Sequence, residues 1–396
     1  MTTPPRTLLG LALLAPTALA QIVVDPTGAG QFVDLQAAID AAAPGAVIRV
    51  VGGSYGSVRI DKSLTIIGDP APLIASAPQG SGVQPPAIDL VGTGSEELTL
   101  AHVVVRGTAT FPYNGPGAGI RSRGFAAIRI YHAEIRAHEY VLATATGLFR
   151  GAPGLDVGAT DVAQVTIADS RIQGSASGTD GTPIFGEPGP AAIDAPSATV
   201  LAVDSVLIGG AGSDTVLPTP FGTTPCPCPG SFGTGGDGIV AAETITMDIV
   251  VQGGRGGLVF YGGPGGVQPW GQQPNGQAMQ AGSSKTAGFF SVSAPDPLRQ
   301  GQPWPLYFAP RGGATAALLV GRLGTPRTVR PFRGLYFLAP SPLAAVPIDP
   351  ARGAVTLTVP TATGLAGLEF AFQVALIDTP LGEDLSEVVP RIVDFP

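Results

Sequence analysis

The segment FVDLQAAIDAAAPGAVIRVVGGSYGSVRIDKSLTIIG, residues 32–68, decides the fold. Its first part predicts a short helix, because four apolar side chains recur at helical spacing on one face: Leu35, Ala38, Ile39 and Ala42. Asp34 is placed to cap the first turn, and Pro44 with Gly45 ends the helix. Alternating apolar residues broken by glycines follow, so the segment predicts a helix that runs into a series of short strands.

A repeating unit continues this pattern from about residue 58 to residue 252. Each unit reads as strand, turn, strand, tight turn with a polar residue, and a third strand ending near glycine. One apolar column recurs at separations of 32, 35, 38 and 46 residues: Ile88, Ile120, Leu155, Ile193 and Ile239. A second column occupies the tight turn: Gly68, His102, His132, Asp169, Asp204 and Asp248. The separations in the apolar column grow along the chain while the strands keep their length, so the extra residues of the longer repeats must lie in the loops.

A helix followed by such units resembles the opening of the pectin-lyase-like superfamily, and of pectin methylesterases in particular. The resemblance implies an all-β fold: a right-handed parallel β-helix of about seven short rungs with an N-terminal capping helix, over residues 21–260. Residues 261–285 are rich in Gly, Gln and Pro and predict a linker or an irregular last rung.

The last part of the chain, residues 286–396, changes to longer alternating strands punctuated by Pro and Gly. This pattern predicts a small antiparallel β-sandwich. It resembles a C-terminal module of exported proteins from planctomycete-like or myxobacterial-like bacteria.

The first twenty residues predict an export signal, because Arg6 precedes an apolar run that ends in Ala18-Leu19-Ala20. Cleavage near Ala20 would leave a protein that is secreted, periplasmic or held at the cell surface. No other apolar run is long enough to cross a bilayer. With 21 basic against 29 acidic residues, the composition argues against nucleic acid as a partner. The sequence does not indicate an oligomeric state.

The outward residues beside the inward apolar column are the candidate site: Asp89, Arg121, Arg123, Asp156 and Asp194. Stacked Asp and Arg side chains could hold a uronate, a Ca²⁺ ion or a hydrolytic acid/base pair. The alternative is that opposite charges on neighbouring strands neutralise one another on a solvated face. The catalytic motifs of pectin esterases, polygalacturonases and pectate lyases are all missing from the sequence.

Two smaller clusters carry weaker alternatives. His102, His132 and Asp169 are in register and could bind Zn²⁺, although stacked polar residues at such turns are more often structural. His138 has no visible partner in the sequence. Cys226 and Cys228 could form a strained disulfide, a loop staple or a bridge to another chain. No other cofactor is indicated.

Two functions therefore remain. The first is a non-catalytic exported protein that binds polysaccharide or another cell-surface component, which the missing motifs and the charged fraction of only 13% favour. The second is a lyase, hydrolase or esterase acting on acidic polysaccharide with the Asp and Arg row. Aromatic residues that could stack on sugars are few near this face and lie in loops: Phe111, Tyr113, Phe149 and Phe185.

Overall fold

The structure is a computed structural model, and its described residues fall into two compact units, within Gln21–Ala287 and within Gly288–Pro396. It describes residues 21–394 apart from 77–84, 108–116, 138–150, 160, 162, 178–187, 214, 218–232, 257, 264–265, 273, 287–291, 295–297, 309–314, 331, 334, 340–341, 362–364 and 378–383. None of the described helices is long and apolar enough to span a membrane.

The described residues of the first unit form one helix and twenty-one strands. The helix is α1, Leu35–Ala41. The strands up to the middle of the unit are β1 Gln21–Val24, β2 Ala46–Val51, β3 Ser54–Tyr55, β4 Val58–Ile60, β5 Leu64–Asp69, β6 Leu73–Ala75, β7 Ile88–Ala101, β8 Val104–Arg106, β9 Ile120–Tyr131, β10 Glu134–Arg136 and β11 Leu155–Val157. The remaining strands are β12 Gln164–Ala168, β13 Arg171–Gln173, β14 Ile193–Val203, β15 Val206–Ile208, β16 Thr215–Leu217, β17 Ile239–Met247, β18 Val250–Gln252, β19 Leu258–Gly263, β20 Gly266–Gln272 and β21 Met279–Thr286.

Equivalent strands of successive repeats pair in parallel and build two sheets. The larger sheet has eleven strands in the order β1-β2-β5-β7-β9-β11-β14-β17-β21, with β4 and β12 joined to it. The second sheet has seven strands in the order β18-β15-β13-β10-β8-β6-β3. Neighbouring strands are about 4.8 Å apart, so each repeat advances the stack by one strand spacing.

The apolar column predicted from the sequence forms continuous register pairs across the larger sheet. Ile88 pairs with Ile120, and the pairing continues through Leu155 and Ile193 to Ile239. All five side chains are fully buried and belong to one core shared by both sheets. Burying a residue of this size stabilises the fold by about 1.5–3 kcal/mol, so the column is a main source of the stability of this unit.

Helix α1 begins after Asp34, whose carboxylate accepts a hydrogen bond of 2.8 Å from the Ala37 N–H. Leu35, Ala38 and Ile39 form its buried face, as the spacing predicts. The helix packs against β1, β2 and β4. Lys62 donates to carbonyl oxygens at its C-terminal end, which is the end that favours a positive charge.

The polar column at the tight turn has a common backbone geometry. His102, His132, Asp169, Asp204 and Asp248 all adopt positive φ, between 46° and 52°. Asp, Asn and His enter this left-handed region more readily than other residues with a Cβ, so the backbone accounts for the residue types in the column. Gly68, which the sequence places in the same column, lies within β5 and is not among the glycines with positive φ.

The range predicted as a linker or an irregular last rung contains regular strands. β19 and β20 pair antiparallel with each other, and β19 pairs with β16. β21 pairs in parallel with β17 and extends the larger sheet by one strand. Gly, Gln and Pro are poor strand formers, so composition hides this pairing.

Where the structure describes it, the second unit contains ten strands: β22 Val292–Ser293, β23 Leu298–Arg299, β24 Pro303–Phe308, β25 Thr315–Gly321, β26 Leu323–Arg327, β27 Tyr336–Leu338, β28 Ala344–Ile348, β29 Ala354–Thr358, β30 Glu369–Ile377 and β31 Asp384–Asp394. They form sheets of three (β22-β24-β29), five (β23-β31-β30-β25-β28) and two strands. Nearly all pairs are antiparallel; β23 with β31 is parallel. Trp304 from the three-stranded sheet and Phe372 from the five-stranded sheet share one core.

Candidate functional site

The predicted Asp and Arg row lies in direct register across the larger sheet. Each member pairs with the next on the neighbouring strand, in the order Arg59, Asp89, Arg121, Asp156, Asp194, Val240 and Gln280. Their side chains alternate with the buried column and therefore point away from the core. The sequence thus places these residues on one line, and the structure divides the line into two parts with different chemistry.

The first part of the row is neutralised by ion pairs. Arg121 Nε donates to Asp89 Oδ1 at 3.2 Å, and Arg123 donates to both oxygens of the same carboxylate at 3.2 and 3.1 Å. Arg123 is more than half exposed, so solvent screens its pair and the stabilisation is at most about 1 kcal/mol. Asp89, Arg121 and Arg123 thus fit the alternative interpretation of the row, in which opposite charges on neighbouring strands neutralise one another.

The second part of the row brings two carboxylates together. Asp156 and Asp194 are register partners on β11 and β14. Burial raises the pKa of Asp156 above 3.8, the negative charge of Asp194 raises the pKa further, and Arg121 and Arg123 act in the opposite direction. Two adjacent carboxylates repel each other, so the charged form of Asp156 is disfavoured relative to that of an isolated Asp.

Asp156 and Asp194 face a cleft of about 560 Å³ at the side of the sheet where the third strands return to the first. The volume falls within the range of small-molecule and oligomer sites. The cleft is lined by Gly151, Pro153, Asp156, Pro188, Gly189, Pro190, Ala191, Asp194, Thr234, Gly235, Gly236, Asp237, Val240, Asn275, Gly276 and Gln277. Among these lining residues there is no aromatic ring and no Lys or Arg.

A glycine-rich main-chain ladder runs along the cleft, and Gly236 and Gly276 of this ladder are among the lining residues. A ladder of hydrogen bonds of 2.6–3.0 Å links successive repeats, from Gly276 N–H to Gly254, Gly254 N–H to Gly236, Gly236 N–H to Gly210 and Gly210 N–H to Pro190. The backbones approach so closely that a Cβ on Gly236 would lie 2.0 Å from the Pro190 carbonyl oxygen. A Cβ on Gly210 would lie 1.7 Å from the Ser175 carbonyl oxygen. Only glycine fits at these two positions.

Four polar residues of the cleft were missed by the sequence analysis: Thr234, Asp237, Asn275 and Gln277. Asp237 Oδ1 accepts a 2.7 Å hydrogen bond from the Gln277 N–H, and Asn275 Oδ1 accepts one of 3.0 Å from the Gly256 N–H. They precede strands rather than lie within them, so strand alternation does not identify them. The only signal in the sequence is that Asp237 stands two residues before Ile239 of the aligned column.

The histidines lie in the turn column and away from the cleft lining. The rings of His102 and His132 stack, with centroids 4.8 Å apart and planes inclined by 15°. Asp169 follows at the equivalent turn of the next repeat. Within the described part of the chain, no group of three His, Cys, Asp or Glu side chains is arranged to hold a metal ion. Ring stacking of the two histidines and the shared left-handed backbone are the observed features of this column.

Several predicted features lie outside the described residues. These are His138, the Cys226 and Cys228 pair, and the loop aromatics Phe111, Tyr113, Phe149 and Phe185. They do not enter the description of the site.

The comparisons with known proteins do not assign the chain to a family. No family model matches it, and no curated protein matches it.

Proposed function

We propose that the chain is an exported protein whose first unit binds polysaccharide, or another hydroxyl-rich polymer of the cell surface, in the cleft at Asp156 and Asp194. The observation that carries the proposal is this cleft of about 560 Å³, lined by carboxylates, side-chain amides and main chain. Such groups accept and donate hydrogen bonds to sugar hydroxyls. Export after cleavage near Ala20 belongs to the same proposal.

The fold part of the proposal is a right-handed parallel β-helix of the pectin-lyase-like kind followed by an antiparallel β-sandwich. Two parallel sheets with matching register in every repeat support the first unit. Two largely antiparallel sheets with a common core support the second. A cleft beside the outward face of the larger sheet is where a solenoid of this kind offers an extended ligand surface.

The charge of the cleft indicates an uncharged ligand. Asp156, Asp194 and Asp237 line it, and no lining side chain is basic. A polymer of uronates would bring further carboxylates against these three, and like charges in a partly desolvated site repel strongly. A neutral polymer avoids this cost and still uses the carboxylates as hydrogen-bond acceptors. The proposed ligand is therefore a neutral polysaccharide, in place of the acidic polysaccharide of the enzyme hypothesis.

A pair of polymers that differ only in charge tests the proposal. Highly methyl-esterified pectin and de-esterified pectate share one backbone, and affinity electrophoresis of the full chain at pH 7 measures binding to each. We expect the esterified polymer to retard the protein and pectate to do so at least tenfold less. Asp156→Asn should reduce this discrimination, and Asp61→Asn, at an exposed site away from the cleft, should not. Preference for pectate, or no retardation by either polymer, would contradict the proposal.

Hydrolysis is the second candidate, and the raised pKa of Asp156 beside Asp194 favours it. A carboxyl group that stays protonated can donate a proton to the leaving oxygen of a glycosidic bond, and the neighbouring carboxylate can act as base or nucleophile. The ion pairs of Asp89 with Arg121 and Arg123 remove the rest of the row from this role. The same polymers are incubated with the protein, and reducing ends and unsaturated products are measured. Product that Asp156→Ala abolishes would establish an enzyme in place of a binding protein.

A further inference from the structure

The outer face of the three-stranded sheet in the second unit carries a row of three rings, of which two are exposed and the middle one is partly exposed. Along β24 the side chains alternate, so that Trp304, Leu306 and Phe308 are buried in the core. The alternate positions, Pro303, Pro305 and Tyr307, face outward. Tyr307 is 49% exposed in the whole chain, and large aromatic side chains are usually covered.

The three outward rings lie in a straight line. Alternate residues of an antiparallel strand are about 6.8 Å apart, and β24 is the central strand of its sheet, between β22 and β29. The rings therefore form a flat strip about three residues long on the middle of an open sheet face. A strip of this shape fits an extended chain better than a coiled or branched one.

Hydroxyl groups flank the strip on both sides. Thr358 pairs with Pro303 and Thr356 pairs with Pro305 on β29, and Ser293 pairs with Tyr307 on β22. Cross-strand partners lie about 4.5–5.5 Å apart, so each ring has a hydroxyl beside it. All three hydroxyl-bearing residues are exposed.

No charged side chain occupies the described outward positions of this face, which are Ser293, Pro303, Pro305, Tyr307, Ala354, Thr356 and Thr358. A partner with fixed charges would lose hydration here without gaining an ion pair. A protein partner would need roughly 20–30 residues on each side, which is far more than this strip offers. The class of ligand that fits this face is a neutral polymer with flat, hydroxylated surfaces.

We infer that this face is a second polysaccharide site, which binds an extended, uncharged 1,4-linked glycan. Tyr307 stacks on the apolar face of one sugar ring, because aromatic rings pack well against flat C–H surfaces. Pro305 and Pro303 continue the apolar surface under the following part of the chain. Thr356, Thr358 and Ser293 exchange hydrogen bonds with the sugar hydroxyls. The site is independent of the cleft in the first unit.

The test uses affinity electrophoresis of the full chain in gels that contain hydroxyethyl cellulose, galactomannan or xylan, with carboxymethyl cellulose as the charged counterpart. We expect at least one neutral polymer to retard the protein and the charged polymer to do so less. Tyr307→Ala should weaken the binding about tenfold, which corresponds to the upper part of the range for aromatic packing. Tyr307→Phe, which keeps the ring, should bind like the unchanged protein.

Leu343→Ala is the matched control, since Leu343 is 54% exposed in the same unit and lies outside the strip. It should leave the retardation unchanged. Asp61→Asn, at an exposed position of the first unit outside the cleft, should leave it unchanged as well. The inference is overturned if no neutral polymer retards the protein, if Tyr307→Ala binds normally, or if Asp156→Asn and not Tyr307→Ala removes the binding. Thermal unfolding of each variant confirms that it is folded.

Discussion

At Asp156 two influences act in the same direction, because burial and the charge of Asp194 both disfavour ionisation. Asp89, on the same line, has Arg121 and Arg123 within hydrogen-bonding distance. Alternation along the strands predicted that these residues share one face. Alternation could not predict that the row divides into an ion-paired part and a pair of carboxylates. This division depends on how far each Arg side chain reaches across neighbouring strands and on the burial of Asp156 beside the cleft.

We expect Asp156→Asn to stabilise the protein at neutral pH. The folded-state pKa of Asp156 is raised above 3.8, so its contribution to stability is fully present below 3.8 and is lost as the pH rises through the folded pKa. The variant should therefore melt higher than the unchanged protein at pH 7 and at the same temperature at pH 3.5. Asp61→Asn should change stability by less than about 0.5 kcal/mol at both values. A lower melting temperature of Asp156→Asn at pH 7 would contradict the pKa direction.

The turn column makes a prediction that depends only on the backbone. Asp248 is exposed and has a φ of 46°, a conformation that a β-branched residue adopts poorly. Asp248→Val should cost about 1–2 kcal/mol of unfolding free energy, and Asp248→Asn should cost less than about 0.5 kcal/mol. Urea unfolding measures both. Asp61→Val is the control for an exposed Asp without positive φ, and an equal loss there would refute the explanation.

At the scale of the element, the sequence pattern identified glycines only as breaks between strands, and those beside the cleft have a further role. Gly210, Gly236 and Gly254 stack by backbone hydrogen bonds across repeats. The sequence shows where the glycines are, but close approach between repeats depends on how loops of different lengths return to the stack. Local patterns do not contain that information.

Gly236→Ala should destabilise the first unit strongly. The added methyl would lie 2.0 Å from the backbone oxygen of Pro190, and the main chain cannot move without breaking the ladder. We expect a loss of about 3 kcal/mol or more and, in the protein that still folds, weaker binding in the cleft. Gly56→Ala is the matched control, because nothing lies within 4 Å of its added Cβ. It should change stability by less than about 1 kcal/mol.

The pairing of β7 with β9 shifts register between Val91 and Glu96, and this irregularity gives a second prediction at this scale. The Glu96 carboxylate accepts hydrogen bonds from the Thr93 N–H and hydroxyl and from the N–H groups of Gly94 and Ser95. These bonds, with the Thr93 N–H as the largest cause, lower the pKa of Glu96 from 4.5 to about 2. The stabilisation is present above about pH 4.5 and is lost as the pH falls through about 2.

Glu96→Gln should therefore be less stable than the unchanged protein at pH 6, and the difference should shrink steadily below pH 4.5. Urea unfolding at pH 6, 4 and 3 measures this difference. A gap that stays constant with pH would show that the charge of Glu96 does not contribute.

At the scale of the whole molecule, the sequence predicted the change from short repeated strands to longer antiparallel ones because the two patterns differ in period and punctuation. It did not predict β21, where Gly and Gln occupy a parallel strand. Each unit has its own apolar core, and no residue belongs to both. Separate cores allow separate cooperative unfolding.

Calorimetry of two variants tests this separation. Gln373 is fully buried and its side chain makes hydrogen bonds to Leu335, Phe337 and Ser386, so Gln373→Ala should cost about 3 kcal/mol in the second unit. Ile130→Ala, in the core of the first unit, should cost about 2–5 kcal/mol there. Each variant should lower mainly the transition of its own unit. One common transition shifted by both variants would show a single cooperative unit.

The glycine ladder also limits how the cleft can diversify over evolutionary time. The shape of a pocket enclosed by side chains changes with almost every substitution. Where the wall is glycine main chain, a larger residue instead disrupts the backbone hydrogen bonds of the ladder. New ligand preferences must then arise chiefly at the positions that contribute functional groups, namely Asp156, Asp194, Thr234, Asp237, Asn275 and Gln277. Substitutions can therefore change the charge and the hydrogen-bonding groups of the cleft, whereas the shape set by its glycine main chain stays the same.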